Sequence, residues 1–230
     1  MASTGALLAA NGPNSWVWWD WIGRHGSTIY SAVREHVVLT ALAVGIGLLL
    51  SLPLGLLAWR WRWLESPVLG VTGVLYTIPS LALFALLVPV TGLGRMTAEI
   101  GLVSYTLLIL VRNIVAGLDA VPPDVREAAR GMGFTPARQL IRIDLPLALP
   151  AIVAGIRIAT VTTIGLVTVT ALIGQGGLGQ LILDGLGREF HTPLVVGAFL
   201  SVALAAVADL SLIGIERLLT PWSQARARVV

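Results

Sequence analysis

The chain has 230 residues, of which 56% are hydrophobic and 12% charged, with a mean hydropathy of +0.87; this lies outside the range of soluble domains and fits a polytopic membrane protein. Its net charge of +3 comes from arginine alone, since the sequence holds no lysine; beside long apolar runs that balance reflects topology rather than nucleic acid. The absence of cysteine excludes disulfide and thiol chemistry.

Residues 1–15 carry no basic stretch ahead of their short apolar run, so no cleaved signal peptide is read, and the first span is expected to act as the insertion signal. Trp16, Trp18, Trp19 and Trp21 follow, then Arg24, His25, Arg34, Glu35 and His36. Four indoles this close suit the headgroup level, where a ring keeps its body in lipid and its N–H in water. An aromatic cage for a quaternary ammonium group is the sharper alternative, but this spacing does not face the rings at one another on a helix.

Val37–Trp59 is uncharged and long enough to cross a core of about 30 Å at about 1.5 Å per residue. It ends in Trp59-Arg60-Trp61-Arg62-Trp63, a basic and aromatic anchor. The second apolar run, Ser66–Gly94, contains Pro67, Pro79 and Pro89, and Tyr76-Thr77-Ile78-Pro79-Ser80 is expected to break the helix within the membrane. Carbonyls freed at such a break need a neighbouring helix or a wet cavity. Ala98–Leu118 is the third span, Leu149–Ile173 the fourth and Thr192–Ile215 the fifth. Gly174-Gln175-Gly176-Gly177-Leu178-Gly179 lacks the Gly-Lys-Ser/Thr ending of a phosphate loop and leaves a membrane helix rather than a strand. The sequence therefore shows no nucleotide site.

Between the third and fourth spans lies the chain's longest charged interval, Glu127–Pro146. Pro122 and Pro123 mark the start of a helix, and Asp124 suits the positive end of its dipole. Val125, Ala128, Ala129 and Met132 share one face, and Gly131 and Gly133 supply a stop. Thr135-Pro136 opens a second short helix that carries Ala137, Leu140 and Ile141 on one face. The expectation is a helix–Gly–helix elbow outside the lipid.

The elbow resembles the cytoplasmic coupling loop of ATP-binding-cassette importer permeases. The family pattern, Glu-Ala-Ala, three residues, Gly, nine residues, then Ile-x-Leu-Pro, matches Glu127-Ala128-Ala129, Gly133 and Ile143-Asp144-Leu145-Pro146 without departure in residue or spacing, Asp144 taking the free position. Tyr76-Thr77-Ile78-Pro79-Ser80, Leu110-Val111-Arg112-Asn113 and the Gly-rich string look like permeases for the osmoprotectants glycine betaine, carnitine and choline. Gln175 departs from the small residue expected there. Methionine importer permeases share a similar Gly-rich string and are the alternative within the class. The resemblance covers about Val37 to Trp222.

The resemblance implies an all-α polytopic domain of about five core spans over 37–220, preceded by an external segment, 1–36, and followed by a cytoplasmic tail, 221–230. It implies a bacterial inner-membrane subunit that is not itself an enzyme and carries no metal or cofactor, with ATP and magnesium held by partner ATPases. A second permease copy, an external binding protein and membrane lipid complete the partners. In this reading Glu127, Ala128, Ala129, Gly133, Ile143, Leu145 and Pro146 dock the ATPase.

Positive-inside counting agrees with the implied orientation. Arg60, Arg62, Arg112, Arg126, Arg130, Arg138, Arg142, Arg217, Arg226 and Arg228 fall on the inner segments, against Arg24, Arg34, Arg95 and Arg188 outside. This places the amino terminus outside and the carboxyl terminus inside.

Two further expectations concern the membrane interior. Arg157 and Asp209 lie at matching depths and are expected to form a structural ion pair, since a charge at midspan costs about 2.5–3.5 kcal/mol on insertion scales. A translocation path at the interface with the second copy is expected near Tyr76, Pro79, Ser80, Thr160, Thr162 and Thr163. A stand-alone secondary transporter or channel is the reading from another class, but the chain shows neither a second midspan carboxylate nor an inverted repeat.

Overall fold

The computed structural model describes residues 15–221. Residues 1–14 of the expected external segment, the 222–230 part of the expected tail and with it Arg226 and Arg228 lie outside the described residues. Ten α-helices are found among the described residues, and no strand. They are α1 Trp19–Arg24, α2 Gly26–Arg60, α3 Arg62–Thr77, α4 Ser80–Thr91, α5 Arg95–Asp119, α6 Pro123–Gly131, α7 Pro136–Gln139, α8 Leu145–Val169, α9 Leu178–Gly187 and α10 His191–Leu219. By length and composition α2, α5, the continuous Pro136–Ile173 segment and α10 suit membrane crossing, and the bent pair α3–α4 makes a fifth span if counted as one.

The apolar runs read from the sequence are the cores of these helices, but the ends differ. The helix that carries the first span begins at Gly26, ahead of Val37, because Arg34, Glu35 and His36 continue the helix instead of ending it. The break in the second run falls where proline places it. Ile78 and Pro79 take extended backbone with ψ of 127° and 133°, as expected of a residue before proline and of proline itself. The freed Ile78 carbonyl accepts a hydrogen bond from the Tyr105 hydroxyl, which supplies in protein the partner that lipid cannot.

The chain forms two compact units, each assembled from separate stretches. One comprises Met1–Ala43, Pro79–Leu102 and Thr162–Val207. Its core gathers Ala32, Leu178 and Leu181, with Trp21, Ile29 and Val33 packed against them. Here the Gly-rich string acquires a structural reason. Gly177 has φ of +47°, and a Cβ on it would lie 2.5 Å from the Ala32 carbonyl oxygen and 2.7 Å from the His36 nitrogen. The string is therefore a close backbone crossing against α2. Glu35 accepts the Gly176 N–H at 3.3 Å, and the buried His36 donates from Nε2 to the Ile164 carbonyl at 3.0 Å.

The tryptophan-rich segment in this unit does not form a cage. Trp21 stacks on His25 at 4.3 Å and meets Phe190 edge-on at 5.7 Å, and the Arg24 guanidinium lies 5.3 Å from the Trp18 ring. The Trp18 backbone N–H donates to Thr192 Oγ1 at 3.0 Å. Trp18 and Trp21 both meet Phe190 edge-on and Trp16 packs on His191, which joins this segment to the head of α10.

The other unit comprises Val44–Ile78, Val103–Val161 and Ala208–Val230. Ile114, Leu118, Ala148 and Ile152 form one buried cluster, with Leu52, Leu56 and Trp59 against it. Ala58, Val111 and Val115 form another, supported by Val68 and Leu69. The elbow and the Arg157–Asp209 pair both belong to this unit.

Candidate functional site

The elbow is built as the sequence pattern suggests in its first arm and differently in its second. Pro123 occupies the first turn of α6 and Asp124 lies beside it, so the missing proline N–H leaves nothing unsatisfied. Ala129 is buried, whereas Glu127 and Ala128 are exposed and Met132 is 68% exposed. The four residues expected to share an apolar face thus divide: Ala129 anchors the helix and Met132 projects outward. Met132 and Gly133 close the helix through N–H bonds to the Ala128 and Arg130 carbonyls, and Phe134 N–H reaches back to Ala129. Gly133 has φ of +79°, the left-handed state that ends helices, and open space where a Cβ would sit.

Thr135 caps the next turn, its Oγ1 accepting the Arg138 N–H at 3.4 Å. The second arm is not the separate short helix expected from the sequence. After α7 the chain widens into a π-helical turn, Leu140–Asp144, and runs on into α8 as one continuous element. Pro146 gives the physical reason. Its ring crowds the carbonyl one turn earlier, and the wider turn accommodates this by bonding Leu145 N–H to the Leu140 carbonyl. Ile143, Leu145 and Pro146 are half-buried at the head of the transmembrane helix, while Ile141 is 66% exposed.

Beneath the elbow lies a network that sequence reasoning missed. Arg126 Nε donates to Asp144 Oδ1 at 3.0 Å, and its NH2 group donates to the Leu118 carbonyl at 2.5 Å. The guanidinium also lies 5.1 Å from the Trp59 ring centre. Asp144 is 1% exposed and accepts a second bond, from Gln139 Nε2 at 3.3 Å. No sequence spacing links Arg126 to Asp144; only the fold of the elbow does. Beside the network an open groove of about 800 Å³ is lined by Trp59, Arg60, Arg130, Phe134 and Leu140 among others.

Arg157 and Asp209 are brought together, with Nε to Oδ1 at 2.9 Å and NH2 to Oδ2 at 3.3 Å. A third member joins them: Arg157 NH1 donates to Glu216 Oε2 at 3.2 Å. Glu216 follows Asp209 by two helical turns on α10, a spacing that places both on one face and makes the triad legible in retrospect.

The residues suggested for a path are scattered in character. Tyr76 and Pro79 are exposed, Ser80, Thr160 and Thr162 half-buried, and Thr163 buried. The Tyr76 ring meets Tyr105 edge-on at 5.8 Å. The Thr160 hydroxyl is used in bonding back to the Ile156 carbonyl at 2.8 Å. Among the described residues no three His, Asp or Glu side chains converge in a metal-binding set.

Among the described residues, several helices long and apolar enough to cross a membrane, with an exposed elbow running into one of them, mark a multi-pass membrane protein. The chain belongs to the family of binding-protein-dependent transport system inner membrane components, whose model matches residues 43–220. It is 43% identical over 192 residues to the osmoprotectant import permease protein OsmW of Salmonella typhimurium, covering 81% of this chain and 89% of the relative. It is 35% identical over 204 residues to the choline transport system permease protein OpuBB of Bacillus subtilis, covering 89% and 94%. The inward-facing MetNI methionine ABC transporter shares the fold, with a TM-score of 0.76, 22% identity, and coverage of 86% of this chain and 98% of that one.

Proposed function

We propose that this chain is the permease subunit of an ATP-driven importer for quaternary ammonium osmoprotectants, the class of glycine betaine, carnitine and choline. Extensive similarity to osmoprotectant and choline permeases supports that substrate class over amino acids. The likeness to the methionine transporter, at 22% identity, bears on the fold alone.

The observation that carries the mechanism is the elbow itself. It exposes Glu127, Ala128, Met132 and Ile141 while Ala129, Asp144 and Gln139 anchor it from beneath. Such a surface suits a groove on a cytoplasmic ATPase, with Glu127 meeting a basic group and Met132 and Ile141 entering apolar pockets. Closure of two ATPases on ATP would move the elbows of two permease copies and alternate access between the membrane faces. Hydrolysis belongs to those separate subunits, and an external binding protein delivers the substrate. The elbow faces the cytoplasm in this scheme, with the amino-terminal end outside, in the bacterial inner membrane. Tyr76, Pro79, Ser80, Thr160 and Thr162 are proposed to border the path, on the ground of polarity at membrane depth; Thr163, buried in the subunit, is assigned to packing.

The test is uptake of labelled glycine betaine, choline and methionine in cells with and without this gene, with Glu127→Ala as the coupling control. Gene-dependent uptake of a quaternary ammonium compound that collapses in the control supports the reading. Uptake of methionine alone overturns the substrate class.

A further inference from the structure

Arg126 stands one residue before the Glu127-Ala128-Ala129 string, and Asp144 falls on the variable position of Ile143-Asp144-Leu145-Pro146. Neither belongs to the pattern that carries the resemblance. Yet the two meet at 3.0 Å, with Asp144 almost wholly inaccessible and the Arg126 side chain 19% exposed. The interactions of Arg126 run between different pieces of the unit. Arg126 lies on α6, the exposed arm of the elbow. Asp144 lies in the π-helical turn that feeds α8, the Leu118 carbonyl that accepts from Arg126 lies at the end of α5, and Trp59 lies at the end of α2. Gln139 of α7 fastens the second oxygen of Asp144. One guanidinium thus holds the elbow to the ends of three helices of membrane-spanning length.

A buried ion pair adds little net stability, because desolvation offsets most of the Coulombic gain. What it adds is geometry, since a planar guanidinium with several donors fixes direction as well as distance. A hinge at Gly133 and a widened turn at Leu140–Asp144 would otherwise leave the elbow compliant where it must transmit displacement. We propose that Arg126 and Asp144 are the positioning pair of the coupling elbow, locking it to α5 and α8 so that partner movement reaches the membrane helices undiminished. This rests on the coupling role proposed above.

The experiment uses the full transporter in nanodiscs and proteoliposomes, comparing wild type with Arg126→Gln, Arg126→Lys and Asp144→Asn. Two readouts are taken: hydrogen–deuterium exchange of the amides over 123–144, and substrate transported per ATP hydrolysed. Release of the lock is expected to raise elbow exchange at least tenfold in Arg126→Gln and Asp144→Asn, with a smaller rise in Arg126→Lys. The ATPase is expected to stay bound and hydrolysing while transport per ATP falls at least fivefold. The Arg126→Gln/Asp144→Asn double variant is expected to match the worse single one, because both remove one contact. Unchanged elbow exchange overturns the proposal, as does transport falling in strict proportion to hydrolysis. If Arg126→Gln does not assemble, Arg126→Lys and Asp144→Asn decide by the same criteria. A wild-type chain that transports without any ATPase refutes the coupling role instead, and exchange still decides whether the pair locks the elbow.

Discussion

Gly133 offers the most discriminating test of the elbow, because the structure separates two reasons for a glycine there. Its φ is +79°, and an added Cβ would meet no atom within 4 Å. Any penalty from a side chain is therefore conformational and not steric. Holding an L-residue in the left-handed region costs about 1–2 kcal/mol for alanine, less for asparagine, whose side chain favours that region, and more for a β-branched residue. Since about 1.4 kcal/mol is a factor of ten in affinity, Gly133→Asn is expected to weaken ATPase binding about threefold or less. Gly133→Ala is then expected to weaken it about tenfold, and Gly133→Val about a hundredfold. The assay is titration of purified ATPase onto nanodisc-held permease, with folding checked by unaltered membrane insertion and thermal midpoint. Equal losses in all three variants would refute the conformational argument, since they would mean that the partner itself presses against the glycine. Full binding by Gly133→Val would remove the elbow from the docking surface altogether.

The remaining predictions concern what holds the units together. Gly177→Ala places a methyl against the backbone of Ala32 and His36 and is expected to cost about 2–4 kcal/mol by overpacking and strain; Gly45→Ala, with open space around it, is expected to leave the thermal midpoint unchanged or higher. Arg157→Gln leaves Asp209 and Glu216 without their shared cation and is expected to lower the thermal midpoint. Adding Asp209→Asn and Glu216→Gln should recover much of that loss in the same thermal assay, and no recovery would dismiss the triad as a structural unit. Tyr105→Phe strips the Ile78 carbonyl of its donor and is expected to cost about 1–3 kcal/mol, read from the midpoint and from faster exchange around the break.

The sequence by itself determined the class of fold and the place of the elbow. Apolar runs longer than a bilayer core leave few soluble alternatives, and seven fixed residues between two such runs locate the elbow without coordinates. It also located the helix break at Ile78–Pro79, since proline acts through its own bonds and needs no neighbour. Helix ends were less legible. Polar residues such as Glu35 and His36 look like a boundary in sequence, yet in space they meet the Gly-rich string and the Ile164 carbonyl, so the helix continues through them.

Tertiary structure alone decided the rest. It set Arg126 against Asp144 and added Glu216 to Arg157 and Asp209. It also showed the Gly-rich string to be a backbone crossing. Local signals come from a residue's own torsions and from neighbours one turn away. These contacts join positions far apart in the chain, and their energy exists only once the helices have packed.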